Sequence, residues 1–393
     1  MKKLLLASAS MALIAGAAGA EDIKLAASLG YTGALESLAP AMLAGAELAA
    51  KEVTDSGKLL VGSTGAIVMS VSSCSVAAAA WGALVGVVGV GFLGVVGGLW
   101  WGESFAWLDL VGVGLGLVMI SPSATSPALS TIDDQGLFFR TSPSDARQGE
   151  VMSDIILSRG IQSVAVTYTN NDYGKGLADS FQAAYEAAGG KVTINAAHDD
   201  GKADYSAEVA ALAAAGGDAL VVAGYVDQGG SGIVRASLDT GAFDTFVFPD
   251  GMVSQALVDN FGTELEHSFG QNPAAEGEGR DSYIAMATEA GYDGSSAFSA
   301  ESYDAAALIL LAMEAAKSSD PAAYKDKIMD VANEPGEKIM PGELAKGLEL
   351  LAAGTDIDYV GATSVELVGP GESAGVYREV DFPDGTLHVV GYH

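Results

Sequence analysis

From Gly136 onward the chain repeats one unit: a short apolar run, a turn, and about a dozen alanine-rich residues. Gly136–Arg140, Ser163–Tyr168, Val192–Ala196, Ala219–Ala223 and Thr245–Phe248 read as strands. Ser144–Ser158, Leu177–Ala188, Tyr205–Ala215 and Ser231–Thr240 read as helices, with Ser144 placed to cap the first and Gly189-Gly190 closing the second. Strands this short and apolar, alternating with helices, imply parallel sheets covered on both faces, with right-handed crossovers. Ile23–Leu29 and a helix over Leu35–Val53 open the chain in the same manner. Ala300–Lys317 and Pro321–Val331 add helices, and the tail from Asp356 reads as strands and turns. The expected class is α/β, with doubly wound parallel sheets.

One strand ends in a way that suggests a use. Val118-Met119-Ile120 stops at Ser121-Pro122 and gives way to Ser123-Ala124-Thr125, closed by Pro127. In open α/β sheets, ligands lie beyond the carboxyl ends of the strands. A turn of small hydroxyl residues offers donors and little bulk, which suits a carboxylate. An ordinary connecting turn would read the same from this stretch alone.

Charge and composition narrow the partners. The opening MKKLLLASASMALIAGAAGA has a basic start, an apolar middle and an Ala18-Gly19-Ala20 end, so residues 1–20 are expected to be a signal peptide cleaved after Ala20. Its loss takes away Lys2 and Lys3 and moves the formal charge from −31 to −33. A nucleic-acid partner, which needs a basic face, is excluded. The remaining length suits two domains, and the single cysteine, Cys74, has no internal partner for a disulfide. Leu59–Gly102 carries no charge over 44 positions, and Val76–Val96 has the hydropathy of a membrane span. Against an integral membrane protein, the sequence on both sides reads as one interrupted α/β lobe, and ten glycines in the charge-free stretch make a poor isolated span.

Catalytic patterns are scarce. No H-E-x-x-H, C-x-x-C or Walker sequence occurs, and His198, His267, His388 and His393 lack metal-like spacing. Gly89–Gly94 matches G-x-G-x-x-G, but in so glycine-rich a stretch, with Glu103 and Asp109 too near to serve as the ribose acid, the match carries little. No enzyme, cofactor or metal is expected. Tyr173, Tyr225 and Asp250 each follow a strand, and each singly fits a surface loop. Together with the Ser123–Thr125 turn they fit a cleft between two domains. A donor-rich turn for a carboxylate, an acid for an ammonium and rings for a side chain describe a site for an α-amino acid.

The chain resembles the periplasmic branched-chain amino-acid binding proteins, the type I solute-binding proteins that serve ABC importers. The resemblance rests on Met119–Pro127 (MISPSATSP), Phe139-Arg140-Thr141-Ser142, Asp172–Ala178 (DYGKGLA), Ala223-Gly224-Tyr225, Pro249-Asp250-Gly251, and Ala297-Phe298 with Tyr303. It implies two doubly wound parallel-sheet lobes joined by three crossovers, near Thr141–Pro143, Gln271–Pro273 and Ala374–Tyr377. Lobe 1 would be 21–142 with 273–374, and lobe 2 would be 143–272 with 375–393. The resemblance implies that Ser123, Ala124 and Thr125 hold the ligand's carboxylate and ammonium. Tyr225 and Asp250 would supply the ring and the acid of the second lobe, and Tyr173 and Phe298 the cleft walls. Between Leu59 and Leu117 the likeness lapses: the partner position of Cys74 is Trp100, and Trp101 stands where the family places a ligand-binding serine.

The function implied is capture of a leucine-, isoleucine- or valine-class amino acid by hinge closure, and its delivery to the membrane permease of an ABC importer. A monomer in the periplasm is expected. The alternative is a ligand-sensing receptor module of the same fold, binding an amide or urea-like molecule.

Overall fold

The computed structural model describes residues 22–30, 36–72, 92–97 and 113–393. Cys74, Trp100, Trp101 and the expected signal peptide lie outside the described residues.

Two sheets organise the chain. The first has the order β2-β1-β3-β4-β5 and consists of β1 (Asp22–Gly30), β2 (Thr64–Ser72), β3 (Gly94–Gly97), β4 (Met119–Ser121) and β5 (Phe138–Arg140). Every pairing in it is parallel. The second contains β6 (Ser163–Thr169), β7 (Lys191–His198), β8 (Ala219–Ala223), β9 (Phe246–Phe248) and β10 (Phe269–Pro273), mutually parallel. Four short strands follow in the chain: β11 (Glu337–Ile339), β12 (Ile357–Tyr359), β13 (Leu367–Val368) and β14 (Glu372–Ser373), which form two separate pairs. Then β15 (Tyr377–Asp381) and β16 (His388–Tyr392) return antiparallel to the edge of the second sheet, giving the order β16-β15-β10-β9-β8-β6-β7. All five residues of β8 are buried, as a strand covered on both faces requires.

The chain passes between the sheets three times, after β5, after β10 and before β15. These passages lie side by side: Pro143 bridges to Ser373, Pro273 pairs with Tyr377, and the Ala274 N–H donates to the Val376 carbonyl at 3.0 Å.

The core against the first sheet is built on the helix Ser299–Ala316, buried from Ser299 through Glu314. It is buried all round, Glu301, Asp304 and Glu314 included, so it forms a central helix rather than a one-sided one. It packs on the helix Ala39–Ser56, where Gly45 permits the approach: a Cβ there would sit 2.2 Å from the Ser299 carbonyl oxygen. The remaining long helices pack on one another or cover the second sheet. Gly149 lets the helix Asp145–Ser158 lie against the helix Asp172–Ala187, where a Cβ would meet the Phe181 nitrogen at 2.6 Å.

Several elements differ in their limits from the sequence reading. The first long helix begins at Ala39 rather than Leu35, with Pro40 in its first turn. The expected helix Leu177–Ala188 starts at Asp172, because the Asn171 side chain accepts from the Gly174 N–H at 2.9 Å and caps it a turn and a half earlier. That cap places Tyr173 in the first turn. Pro321–Val331 is broken into Pro321–Tyr324, a 3-10 turn over Lys325–Lys327, and Ile328–Ala332. The end of the span-like window Val76–Val96 is a strand: β3 pairs with β1 on one side and β4 on the other. Among the described residues no helix is long and apolar enough to cross a membrane.

Candidate ligand site

The second sheet supplies a ring-and-acid cluster. Tyr225 follows β8, Asp250 follows β9, and Tyr173 follows β6 on the helix that Asn171 caps. The Tyr173 hydroxyl donates to Asp250 Oδ1 at 2.7 Å, and the Tyr173 and Tyr225 rings stack with centroids 4.9 Å apart at 28°. The Gly251 N–H also donates to Asp250 Oδ1, at 2.9 Å. Gly251 is required by this packing, because a Cβ there would lie 2.6 Å from the Gly224 carbonyl oxygen and 2.8 Å from the Tyr173 hydroxyl. All three site side chains are buried. Burial pushes both tyrosine hydroxyls well above the ordinary phenol range, so they remain neutral donors.

Phe298 belongs to the same apolar cluster as Tyr173 and Tyr225, and it holds φ 62°, ψ 3° immediately before the central helix. A bulky aromatic in the left-handed region costs about 1–3 kcal/mol and persists where the surrounding packing dictates it.

The first sheet contributes the Ser123–Thr125 turn beyond β4. The Ser121 hydroxyl accepts from the Ala124 N–H at 3.0 Å and tightens the turn. The Thr125 carbonyl accepts from the Asp145 N–H at 2.8 Å, which joins the turn to the start of the helix Asp145–Ser158. Ser123, Ala124 and Thr125 are all buried, and the Ser123 hydroxyl has no partner among the described residues.

Asp145 itself completes the cluster. It is fully buried, and its carboxylate faces the Thr125 side chain, whose hydrogen bond, like the Arg140 charge, favours the ionised form. Burial, then the nearby Asp250 charge, pushes its pKa well above the usual carboxylate range; burial also raises that of Asp250. Neither acid forms a salt bridge among the described residues. Tyr173, Tyr225 and Tyr377 all feel the field of both carboxylates. Two adjacent buried acids could accommodate a cation, because a bound ammonium would offset the desolvation that raises both pKa values and the Asp250 charge that adds to it at Asp145.

The structure therefore brings Tyr173, Tyr225, Asp250 and Phe298 together, and Asp145 links them to Ser123, Ala124 and Thr125. Trp101 lies outside the described residues. The sequence reading passed over Asp145, which follows the capping Ser144 and looks like an ordinary first-turn acid complementing the helix dipole. The expectation from sequence that no G-x-S-x-G occurs is also corrected: Gly371–Gly375 (GESAG) matches that pattern. A nucleophile elbow needs a strand-to-helix turn. Ser373 instead lies on β14, antiparallel to β13, so the match carries no nucleophile. The G-x-G-x-x-G match ends at Gly94, the first residue of β3, where a helix would be needed. Among the described residues no group of three acids, histidines or cysteines could hold a metal.

Comparison with known proteins bears on the family and the fold. A family model described as "Periplasmic binding protein" matches residues 22–340. Leu/Ile/Val-binding protein homolog 1 of Brucella melitensis is 30% identical over 244 residues, 58% of this chain and 64% of that protein. The matched stretch thus spans less than two thirds of the relative's length. A leucine-, isoleucine-, valine-, threonine- and alanine-binding protein of Pseudomonas aeruginosa is 29% identical over 209 residues, 52% of this chain and 56% of that protein. Among solved structures, a leucine binding protein from Thermotoga maritima superposes with a TM-score of 0.79 at 19% identity, covering 94% of this chain and 98% of that one. A branched-chain amino acid transporter substrate binding protein from Streptococcus pneumoniae, in complex with isoleucine, gives 0.77 at 21% identity, covering 94% and 99%.

Proposed function

The chain belongs to the periplasmic binding protein family, and from that premise we propose that it captures a branched-chain or other small apolar amino acid between its two lobes and delivers it to the membrane permease of an ABC importer. The lobes are 21–142 with 273–374, and 143–272 with 375–393. The protein acts in the periplasm as a monomer, as a binder and not an enzyme.

The observation that carries the reading is the buried Asp145–Asp250 pair, set beside stacked aromatic rings and a hydroxyl-rich turn. In this reading the ammonium offsets one charge of the pair, the carboxylate takes donors of the Ser123–Thr125 turn, and the side chain packs near Phe298, Tyr173 and Tyr225. A neutral amide or urea would leave two carboxylates desolvated and unpaired, so the acid pair favours the amino acid over the sensor alternative. The relatives' names, which specify leucine, isoleucine and valine, support the same class. Ligand reaching both sheets at once favours the closed form by its differential affinity for it.

A thermal-shift series against the twenty amino acids tests this. A ligand at a thousandfold excess over Kd stabilises the native state by about 4 kcal/mol. A rise confined to leucine, isoleucine, valine and near relatives is expected. A cooperative melt that none of them shifts would refute the assignment.

A further inference from the structure

The Ser123–Thr125 turn is held from behind by one buried cation. Arg140 ends β5 with its side chain 1% exposed. Its Nη1 donates to the carbonyls of Ala124 (3.2 Å) and Ser126 (3.0 Å). Its Nη2 donates to the Ser130 hydroxyl at 2.9 Å and to Glu372 Oε1 at 2.8 Å. The Arg140 backbone N–H donates to the Gly371 carbonyl at 3.0 Å, so main chain and side chain both grip the segment that leads into the third passage between the sheets.

The consequence follows from peptide geometry. In a planar trans peptide the carbonyl and the next N–H point in opposite directions. With the Ala124 carbonyl tied to Arg140, the Thr125 N–H faces away from the guanidinium. With the Thr125 carbonyl tied to the Asp145 N–H, the Ser126 N–H faces away from Asp145. The carbonyls of Ala124, Thr125 and Ser126 are all engaged, so a carboxylate approaching the turn meets the Thr125 and Ser126 N–H groups and the Ser123 hydroxyl rather than carbonyl oxygens. Only a planar fork with several fixed donors can hold two carbonyls, a hydroxyl and a carboxylate at once; a lysine ammonium is a single point with three donors.

We propose that Arg140, oriented by Glu372, is the positioning residue that makes the Ser123–Thr125 turn a carboxylate site. Through Glu372 and Gly371 it also ties that turn to the third interlobe passage. This rests on the reading above, that the turn seats the carboxylate of an amino acid.

The test compares leucine with leucinamide, which keeps the ammonium and side chain but lacks the carboxylate, on wild type, Arg140→Lys and Glu372→Gln. Affinities come from calorimetry and melting temperatures are recorded beside them. Arg140→Lys retains the buried charge and is expected to lose about ten- to a hundredfold in leucine affinity, with leucinamide changed less than about threefold. Glu372→Gln, at a partly exposed position, keeps the fold if the lysine variant does not, and is expected to show the same selectivity at about three- to tenfold. Equal losses for both ligands, or a lowered melting temperature with unchanged leucine affinity, would reduce Arg140 to a structural role and overturn the proposal. Failure of the wild type to bind leucine would remove the functional reading and this proposal with it, an outcome distinct from equal losses in the variants.

Discussion

Replacing Asp250 by asparagine separates the ammonium contact from everything else the residue does. The hydrogen bonds that Asp250 accepts from Tyr173 and Gly251 both fall on Oδ1, and with the Gln148 side chain also beside the carboxylate a ligand would approach Oδ2. Asparagine keeps an oxygen for those two donors but turns the other atom from an anionic acceptor into a donor facing the ammonium. Asp250 is 2% exposed, so the lost attraction is not screened as a surface pair would be. Breaking a buried charge pair by removing one partner costs about 3–5 kcal/mol. At 1.4 kcal/mol per decade this is roughly two to three and a half decades in Kd. Asp145 survives as a second carboxylate, which places the expected loss at the lower end. Calorimetry of wild type and Asp250→Asn with leucine, and with its des-amino analogue 4-methylpentanoate, gives the answer. Leucine should lose about a hundredfold, while the des-amino acid, having no ammonium, should lose nothing. An asparagine variant that keeps its native circular dichroism and binds leucine within about threefold of wild type would remove Asp250 from the ammonium site.

Three further outcomes follow from the same geometry. Burial and the neighbouring Asp250 raise the pKa of Asp145, so the folded protein holds more protons than the unfolded chain from the unfolded value of about 3.9 up to the raised one. Stability of the ligand-free protein should therefore fall as pH rises through that window, and Asp145→Asn should flatten the slope; parallel melting profiles would contradict this. Ser37, just ahead of the helix Ala39–Ser56, donates from its N–H (3.0 Å) and hydroxyl (2.7 Å) to Asp227 Oδ2, two residues beyond Tyr225. At about 0.5–1.5 kcal/mol per bond and an exposed position, Asp227→Ala should speed leucine release about three- to tenfold with association unchanged, as stopped-flow fluorescence would show; equal release rates would mean the contact does not hold the closed form. Gly251→Ala inserts a methyl between Gly224 and Tyr173 and should cost about 1–3 kcal/mol of stability along with leucine affinity. A wild-type melt and affinity would show that the loop yields freely.

The alternation of short apolar runs with alanine-rich segments was enough to determine an α/β fold with parallel sheets, because period and burial are local properties of the chain. The Ser123–Thr125 turn, Tyr173, Tyr225 and Asp250 were legible for the same reason: each follows a strand, and strand ends in such sheets point to one edge. Phe298 was legible only through the family resemblance, since nothing local marks it before an apolar helix. Helix starts were less legible, since the cap at Asn171 is a side-chain geometry and the glycines after it resemble a turn. Asp145 and Arg140 stood in plain view without a visible role. One looks like a first-turn acid and the other like the polar end of a strand. Their roles arise only when β4, β5 and the passages between the sheets converge, burying one carboxylate beside another and closing a guanidinium over two carbonyls far from it in the chain. Burial and long-range hydrogen bonding are properties of the tertiary arrangement, and they place one acid beside another and a guanidinium behind the Ser123–Thr125 turn, the arrangement on which the proposed ammonium and carboxylate contacts rest.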